Sequence, residues 1–473
     1  MDHMSQHLKS PWVHQLVRSR PVYTLETDLV ADICIIGGGI SGIMSAYQIL
    51  KDTDRSVVII DSHEVGHGAT GHNAGQLVAS LERSIESLVE EYGLEKTAEL
   101  LLSIESGWGI LEETMRDAGL DVPYSTFEGY NVYSTKKQIH DQLKDISLMY
   151  QAGLTPKKMY ISQEHVAGLE IPSLYTQYYE VIPHTSILSL SQTIDPGYIA
   201  AYPHKKGCLN SAVLVEQLAT YLVQTYTIDR CKFYEKTLVT QVQLDKDIAA
   251  VTVQSGKTIA ANLVMLCTNG FENFTIHDVD NNVDHTFHKH VKGVVGYMLA
   301  QTEEIDQTPS AFMYCDAEYD TPNATSVAEH IDVKKDIAYA GDYIYTTRRP
   351  YDLGHQESKN LFCIGGKAEI LEDSSVYQKS HAYNAHVKEE YEAFMAKTFD
   401  HKEPEPNHRQ FIWHGLMGYT ENGLRMVGFE KTNTLLMYNL GCNGVGLLPA
   451  IWSSKRIVAL LKGDTTKSLF DPI

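Results

Sequence analysis

The sequence is short of positive charge: 39 Lys and Arg stand against 60 Asp and Glu in 473 residues, a formal charge of −21. A surface of that sign repels nucleic-acid phosphates and anionic headgroups, and no local basic patch reverses it, so a nucleic-acid partner is not expected. Cysteine is sparse. Its seven positions (Cys34, Cys208, Cys231, Cys267, Cys315, Cys363, Cys442) include no C-x-x-C pair, which fits neither a zinc site nor a disulfide framework and points to a reducing compartment. No apolar run reaches the ~18 residues of a membrane span. The opening stretch MDHMSQHLKSPWVHQLVRSR lacks the apolar core of a signal peptide, so a cytoplasmic protein is expected. What remains, 43% hydrophobic residues with 33 Gly and 15 Pro, is the composition of an ordinary globular protein. At roughly 150 residues per domain the length suggests two or three domains.

The clearest pattern lies near the start. Ala31 to Ile36 is almost wholly apolar, as a strand buried on both faces of a parallel sheet must be. Gly37-Gly38-Gly39-Ile40-Ser41-Gly42 follows, and then Ile40, Ile43, Met44, Tyr47 and Leu50 recur at helical spacing. A second apolar run, Ser56 to Ile60, ends at Asp61, 19 residues beyond Gly42. Strand, glycine turn, helix and acid in this order form a dinucleotide-binding unit. Gly37 serves the tight turn, Gly39 the approach of backbone to pyrophosphate and Gly42 the helix-to-strand contact, while Asp61 is placed to accept ribose hydroxyls.

Two further glycine loops need a ligand between them. Gly66 to Gln76 (GHGATGHNAGQ) can wrap backbone around a bulky group, and Gly441-Cys442-Asn443-Gly444-Val445-Gly446 leads into an apolar helical stretch, Leu447 to Lys462, with Gly463 as its stop.

With these loops, Leu209-Asn210-Ser211-Ala212 before a helix Val213 to Gln224, the run Ala261 to Gly270, and Trp413-x-Gly415-x-x-Gly418-Tyr419-Thr420-x-x-Gly423, the chain resembles the glycine/D-amino-acid oxidase (DAO) family of FAD-dependent oxidoreductases. Within it the chain resembles the γ-glutamylputrescine-oxidase-like branch, whose members carry a G-A-S-G-R-N-G-G-Q-like loop. The resemblance implies FAD held by Gly37, Gly39, Ile40, Ser41, Gly42 and Asp61 at the ADP end. Gly68, Ala69, Thr70, His72, Asn73, Gly75 and Gln76 then lie along the ribityl chain and ring, and Gly441, Cys442, Asn443, Gly444 and Gly446 at the pyrimidine end; Val239 is assigned with them. A helix N-terminus beside the pyrimidine would stabilise an anionic reduced ring.

The chain departs from the branch at His72 (commonly Arg), Asp61 (commonly Glu), Cys442 (commonly larger) and Arg425 (usually Pro). In the related dimethylglycine dehydrogenases, with a G-S-T-W-H-A-A-G-like run, the histidine at this position carries FAD covalently. Covalent attachment at His72 therefore stands as an alternative to a plain hydrogen-bonding loop histidine.

The implied fold is α/β, α+β overall: a Rossmann-type FAD-binding domain interleaved with an antiparallel-sheet substrate-binding domain. Residues 1–121, 205–282 and 408–473 are assigned to the first, and 122–204 and 283–407, rich in Tyr, Val, Ile and Thr, to the second. Leu77 to Leu120 reads as helical, and Lys402 to Asn407 as a linker.

Only one complete nucleotide fingerprint is present and no NAD(P)H domain is evident, so electrons enter from an organic substrate and leave to O2 or a protein carrier. The expected reaction is oxidation of a C–N bond of a small-molecule amine or amino acid to an imine, which water hydrolyses. The rivals are a flavin enzyme acting on a non-amine or biosynthetic intermediate, and a non-catalytic flavin protein. Candidate catalytic residues are Arg348 and Arg349, whose forked guanidinium suits a substrate carboxylate, at most one of them facing the site, and Lys292, a cation before a strand resembling one that crosses near the flavin. His285, His288 and His290 lack a supporting carboxylate or cysteine pattern, so no metal is expected.

Overall fold

The computed structural model describes residues 10–279, 283, 291–304, 308–316, 343–351, 359–400 and 409–472. His285, His288, His290 and the linker 402–407 lie outside the described residues.

Two sheets organise the chain. The strands run, in order, β1 (Leu29–Ile36), β2 (Val57–Ile60), β3 (Gln76–Val78), β4 (Tyr124–Tyr133), β5 (Met159–Ser162), β6 (Tyr179–Ile182), β7 (Ala200–Leu209), β8 (Cys231–Tyr234), β9 (Val239–Leu244) and β10 (Ala249–Val253). They continue with β11 (Thr258–Leu266), β12 (Thr275–Asp278), β13 (Val291–Glu303), β14 (Ser310–Cys315), β15 (Ile344–Tyr351), β16 (Lys359–Ile370), β17 (Gln410–Thr420), β18 (Met426–Phe429) and β19 (Leu436–Leu440). The first sheet has the order β12-β9-β10-β11-β1-β2-β8, with β19 pairing β11 and β18. β1 runs parallel to both β11 and β2, with Ile35 opposite Met265 on one side and Ile59 on the other. Apolar layers cover both faces of this sheet, which is why β1 from Ile33 onward and β2 read as apolar runs.

The helix Ile40–Asp52 begins at the third glycine, as its spacing predicts. Its burial exceeds a single face: every residue from Gly42 to Leu50 is buried. The helices Ser211–Thr225 and Leu447–Leu461 pack against it and against strands β8, β18 and β19 of the same sheet, which buries the rest of its surface.

The second sheet has the order β17-β13-β16-β15-β14-β4-β7-β5-β6, with β3 on β7. Most pairings are antiparallel, and β14/β4 and β5/β6 are parallel. β17 pairs with β13 along its whole length, so the C-terminal segment contributes to the first sheet only after Thr420; β3 and the end of β7 likewise extend the second sheet beyond residues 122–204. The stretch after β3 is helical as expected, in three helices, Ile85–Tyr92, Leu94–Glu105 and Gly107–Asp117. The second sheet is strongly curved: Gln76 Nε2 on β3 donates to the Thr346 carbonyl at 3.3 Å and to Thr347 Oγ1 at 3.1 Å on β15, three strands away from β7 in the sheet order.

Candidate active site

The glycine turn is built from close approaches. Gly37 has φ +114°, and a Cβ there would lie 2.5 Å from the Cys267 carbonyl oxygen; one on Gly42 would lie 1.9 Å from the Gly37 oxygen. Gly39 occupies the N-cap of the helix Ile40–Asp52 with no side chain capping it. Ile40 N donates to Thr70 Oγ1 at 2.9 Å, which ties the second glycine loop to the helix start. Asp61 accepts from the Gly38 amide at 2.7 Å and from the His63 amide at 2.7 Å, so it braces the turn as well as facing the cavity. Burial pushes its pKa up against the pull of those two amides. A helix N-terminus with glycine at its N-cap and at the point of approach, and a carboxylate beside it, fit an ADP pyrophosphate and ribose.

Asn73 holds the second loop. Its Nδ2 donates to the Ala69 and Thr70 carbonyls at 3.1 and 2.7 Å and to Ser211 Oγ at 2.9 Å, while Oδ1 accepts from the Gly75 amide at 2.7 Å. Ser211 Oγ in turn donates to the Thr70 carbonyl at 2.6 Å, and Asn210 caps the helix that Ser211 begins. The Leu209-Asn210-Ser211-Ala212 motif is thus the anchor of this loop. His72 Nδ1 donates to the Gly68 carbonyl at 3.0 Å, and burial lowers its pKa to about 3, leaving the ring neutral.

The glycines of β17 serve the same purpose as those of the turn. A Cβ on Gly415 would lie 2.5 Å from the His72 carbonyl oxygen, and one on Gly418 2.0 Å from that of Asn269. The strand therefore lets two loops press directly on its backbone. In the C-terminal loop Asn443, at φ +45°, accepts through Oδ1 from the Thr420 amide at 2.8 Å, and the Cys442 amide donates to Asn269 Oδ1 at 2.8 Å. The helix Leu447–Leu461 starts at Gly446, again without a side-chain cap.

These loops open on one cavity of about 760 Å³. Of the residues chosen from the sequence, Gly37, Gly39, Ile40, Ser41, Asp61, Gly68, Ala69, Thr70, His72, Asn73, Gln76, Val239, Cys442, Gly444 and Gly446 line it. Gly42, Gly75, Gly441 and Asn443 stand behind the wall and shape it. Gly75 is the plainest case, since at φ +65° it packs where a Cβ would lie 2.7 Å from the Trp12 ring.

Lys292, Arg348 and Arg349 are not among the lining residues. Arg348 pairs with Glu303 and donates to Gln192 Oε1 at 2.6 Å. Arg349 shares the β15 face of Tyr345 but lies two pairs further along it, fully buried, stacked 4.1 Å from the Trp12 ring centroid and donating to Gln15 Oε1 at 2.6 Å. The arginines face opposite ways as strand alternation requires, and the short helix Pro11–His14 closes over the one on the cavity's side. Lys292, half-buried opposite Tyr419, lies on β13 before the lining residues Gly296 and Met298.

The cavity wall contributed by the second sheet went unread in the sequence. Register puts Asn131 opposite Met313, Met313 opposite Tyr345, Tyr345 opposite Gly365 and Gly365 opposite Met298, a row running across five strands. All but Gly365 line the cavity, and a Cβ at Gly365 would collide with Met298 Sδ at 2.4 Å and Tyr345 Oη at 2.5 Å. His204 and Lys206 on β7 complete the wall, and Tyr343 donates to Glu82 Oε1 at 2.7 Å on its rim. Arg425, noted only as a departure from proline, is buried where it donates to Ser41 Oγ and to Asn439 Oδ1, and burial lowers its pKa to about 10. Lys379 donates to the His67 carbonyl near Asp61. A signal for this wall was the period-2 pair His204 and Lys206 on β7, which only strand pairing turns toward a cavity. No helix among the described residues is long and apolar enough to cross a membrane, and none of their side chains cluster as a metal site.

A 121-residue stretch is 31% identical to γ-glutamylputrescine oxidoreductase of Escherichia coli K12, covering 26% of this chain and 28% of that one. A 102-residue stretch is 28% identical to the probable oxidoreductase OrdL of Haemophilus influenzae, covering 22% and 21%. Each match thus spans less than a third of the relative's length. The solved structure of glycine oxidase from Geobacillus kaustophilus superimposes with a TM-score of 0.62 at 15% identity over 94% of this chain and 98% of that one. That of L-proline dehydrogenase from P. horikoshii does so with 0.63 at 14% over 94% and 97%. These likenesses establish the shared fold. Residues 32–460 match the profile of the DAO family, described as FAD dependent oxidoreductase, so the chain, whose glycine loops were assembled above around one cavity, belongs to the DAO family of FAD-dependent oxidoreductases.

Proposed function

We propose that the enzyme oxidises a C–N bond of a small-molecule amine or amino acid. The substrate carbon gives up a hydride and its nitrogen a proton, leaving an imine that water splits into a carbonyl compound and an amine or ammonia. Bound FAD supplies the two-electron acceptor for this step, and O2 or a protein carrier re-oxidises it. In this reading Gly37, Gly39, Ile40 and Ser41 present the helix N-terminus to the pyrophosphate, Gly42 lets the turn close, and Asp61 accepts from the ribose. Residues 68–76 with Val239 flank the middle of the cofactor, and 441–446 face its far end. The second sheet, with the segments 122–204 and 283–407 as its main body, binds the substrate. Arg425 adds a buried cation beside the Ser41 end.

The observation that carries the reading is that two helix N-termini with glycine at the N-cap, distant in sequence, open on one cavity whose remaining wall is a sheet bearing tyrosines, methionines and a lysine. The names of the fold relatives, a glycine oxidase and an L-proline dehydrogenase, and the partial likeness to a γ-glutamylputrescine oxidoreductase favour nitrogen-bearing substrates. Another fold relative, L-α-glycerophosphate oxidase from Mycoplasma pneumoniae, supports the rival class of non-amine substrate.

Anaerobic visible spectra of the holoprotein with amines, amino acids and hydroxy acids decide between them. The expected result is bleaching of a band near roughly 450 nm by a compound with a C–H next to nitrogen. Bleaching by hydroxy compounds alone would overturn C–N oxidation. We infer further that His72 holds FAD without a covalent bond, so acid precipitation leaves the flavin in the supernatant; yellow pellets would show the opposite.

A further inference from the structure

Four side chains that are cationic at neutral pH in water line the cavity among the described residues: Arg83, Lys206, Lys379 and Arg425. Three are committed elsewhere. Arg83 pairs with Glu91 and donates to the Asn422 carbonyl at 2.9 Å. Arg425 is spent on Ser41, Asn439 and the Gly441 carbonyl, at the glycine turns. Lys379 donates to the His67 carbonyl and feels Asp61, on the ribose side.

Lys206 is different. It belongs to β7 in the second sheet, is 1% exposed, and no carboxylate among the described residues lies within ion-pair distance of it. Its stem crosses β4 at Gly129, where a Cβ would lie 2.5 Å from Lys206 Cδ and 2.5 Å from the Ala311 carbonyl oxygen, so the absence of a side chain at Gly129 makes the path. Its Nζ then reaches only neutral oxygens, Asn131 Oδ1 at 3.0 Å and the Tyr130 carbonyl at 3.4 Å. His204 Nε2 donates to the same Asn131 Oδ1 at 3.0 Å, and its pKa is held well below the ordinary value by burial and by Lys206, so it brings no second charge. Among the described residues the groups packed against Nζ are His204 on its own strand, Asn131 and the Tyr130 carbonyl on β4, and, further off, Cys315 on β14. No acid among the described residues compensates the ammonium, and burying it alone costs several kcal/mol in effective terms. A buried cation with no anionic partner among the described residues, at the wall of a ligand cavity, is matched by an anion arriving with the ligand.

Resting on the reading of the cavity as the site of C–N oxidation, we propose that Lys206, positioned by Gly129 and Asn131 beside His204, binds the carboxylate of the substrate, which makes the substrate an amino acid and not a simple amine. The carboxylate replaces the neutral oxygens as the main partner of Nζ. Burial alone lowers the Lys206 pKa to about 7, so the empty site holds the cation only below neutrality and the bound carboxylate raises that value.

The test uses holoprotein and unreactive probes: the straight-chain carboxylates acetate to hexanoate, each against its uncharged amide, titrated by calorimetry at pH 6.5. At least one carboxylate is expected to bind tenfold or more tightly than its amide. Lys206→Gln is expected to abolish that preference while retaining its FAD spectrum, and raising the pH from 6 to 9 to weaken carboxylate binding in the wild type and not in the variant. Gly129→Ala, which displaces the lysine stem without removing its charge, is expected to weaken the same carboxylate. Equal affinity of acid and amide across the series, or a preference surviving in Lys206→Gln, overturns the subsite. Should Lys206→Gln fail to retain flavin, Gly129→Ala and the wild-type pH series decide alone. Anaerobic reduction by ω-amino acids against alkylamines of equal length separates the two readings. Carboxylate binding with no flavin bleaching by any amine or amino acid sinks C–N oxidation and leaves the subsite, whereas equal bleaching by both classes sinks the subsite and leaves C–N oxidation.

Discussion

The two walls of the cavity are made differently. The wall built by the glycine loops is backbone: glycines that bring strand, loop and helix ends within van der Waals reach, with glycine at the N-cap of two helices. The wall from the second sheet is side chain: Asn131, Met313, Tyr345 and Met298 in a row fixed by strand register, with Lys206 and His204 beside it. A backbone wall tolerates no added atom, because its contacts are already closed. A side-chain wall tolerates exchange of shape but is sensitive to charge.

The largest effect should therefore come from the smallest substitution on the backbone wall. Gly42→Ala puts a Cβ 1.9 Å from the Gly37 oxygen, so helix and turn must separate. Overpacking of this kind costs about 3 kcal/mol or more, and the variant is expected to purify colourless with a lowered Tm, measured by the ratio of visible to ultraviolet absorbance and by thermal melting. A yellow Gly42→Ala of normal stability would break the contrast.

Lys206→Met probes the charge of the other wall. Burial depresses the folded-state pKa of Lys206 to about 7, below that of the unfolded chain, so the unfolded state binds the extra proton. The penalty is fully present below about pH 7 and fades as pH rises toward the unfolded value near 10.4. His204, Asn131 and Cys315 face the same group, and the variant keeps them all. Between pH 7 and 9 the wild type is expected to gain about 2 kcal/mol relative to Lys206→Met, read from paired denaturation curves. Parallel pH profiles would mean that the ammonium is solvated.

Tyr345→Phe should change least. It removes a hydroxyl 3.1 Å from Met298 Sδ and keeps the ring that fills the space over Gly365. A loss under about 1 kcal/mol and unchanged flavin content are expected, measured by the same melts. A larger loss would mean that the hydroxyl, and not the ring, holds this row.

How much could be read in advance follows the same division. The strand Ala31–Ile36, its glycine turn, the helix and Asp61 were legible because each part is local, and the loops 68–76 and 441–446 because small residues cluster where backbone must come close. Asn210 and Ser211 were quoted as part of a motif, but their work, tying the Thr70–Asn73 turn to a helix start, needed the fold to bring residues 70 and 211 together. Arg348 and Arg349 show the converse. Their alternation was legible, yet Trp12 and Gln15 cover one and Glu303 and Gln192 take the other, partners that lie far away in sequence.

The sequence by itself determined the strand, glycine turn and helix near the start, the family and the positions where only glycine fits, since helix starts, tight turns and apolar strands are set by interactions within a few residues of one another. The tertiary structure alone decided that Lys206 is buried with no acid beside it among the described residues, that Gly129 clears its path, and that Lys292 and the two arginines stand outside the cavity wall. Those outcomes depend on the pairing of β4 with β7 and on the curvature that brings β3 to β15, and no local pattern encodes which face of a strand a distant segment will cover.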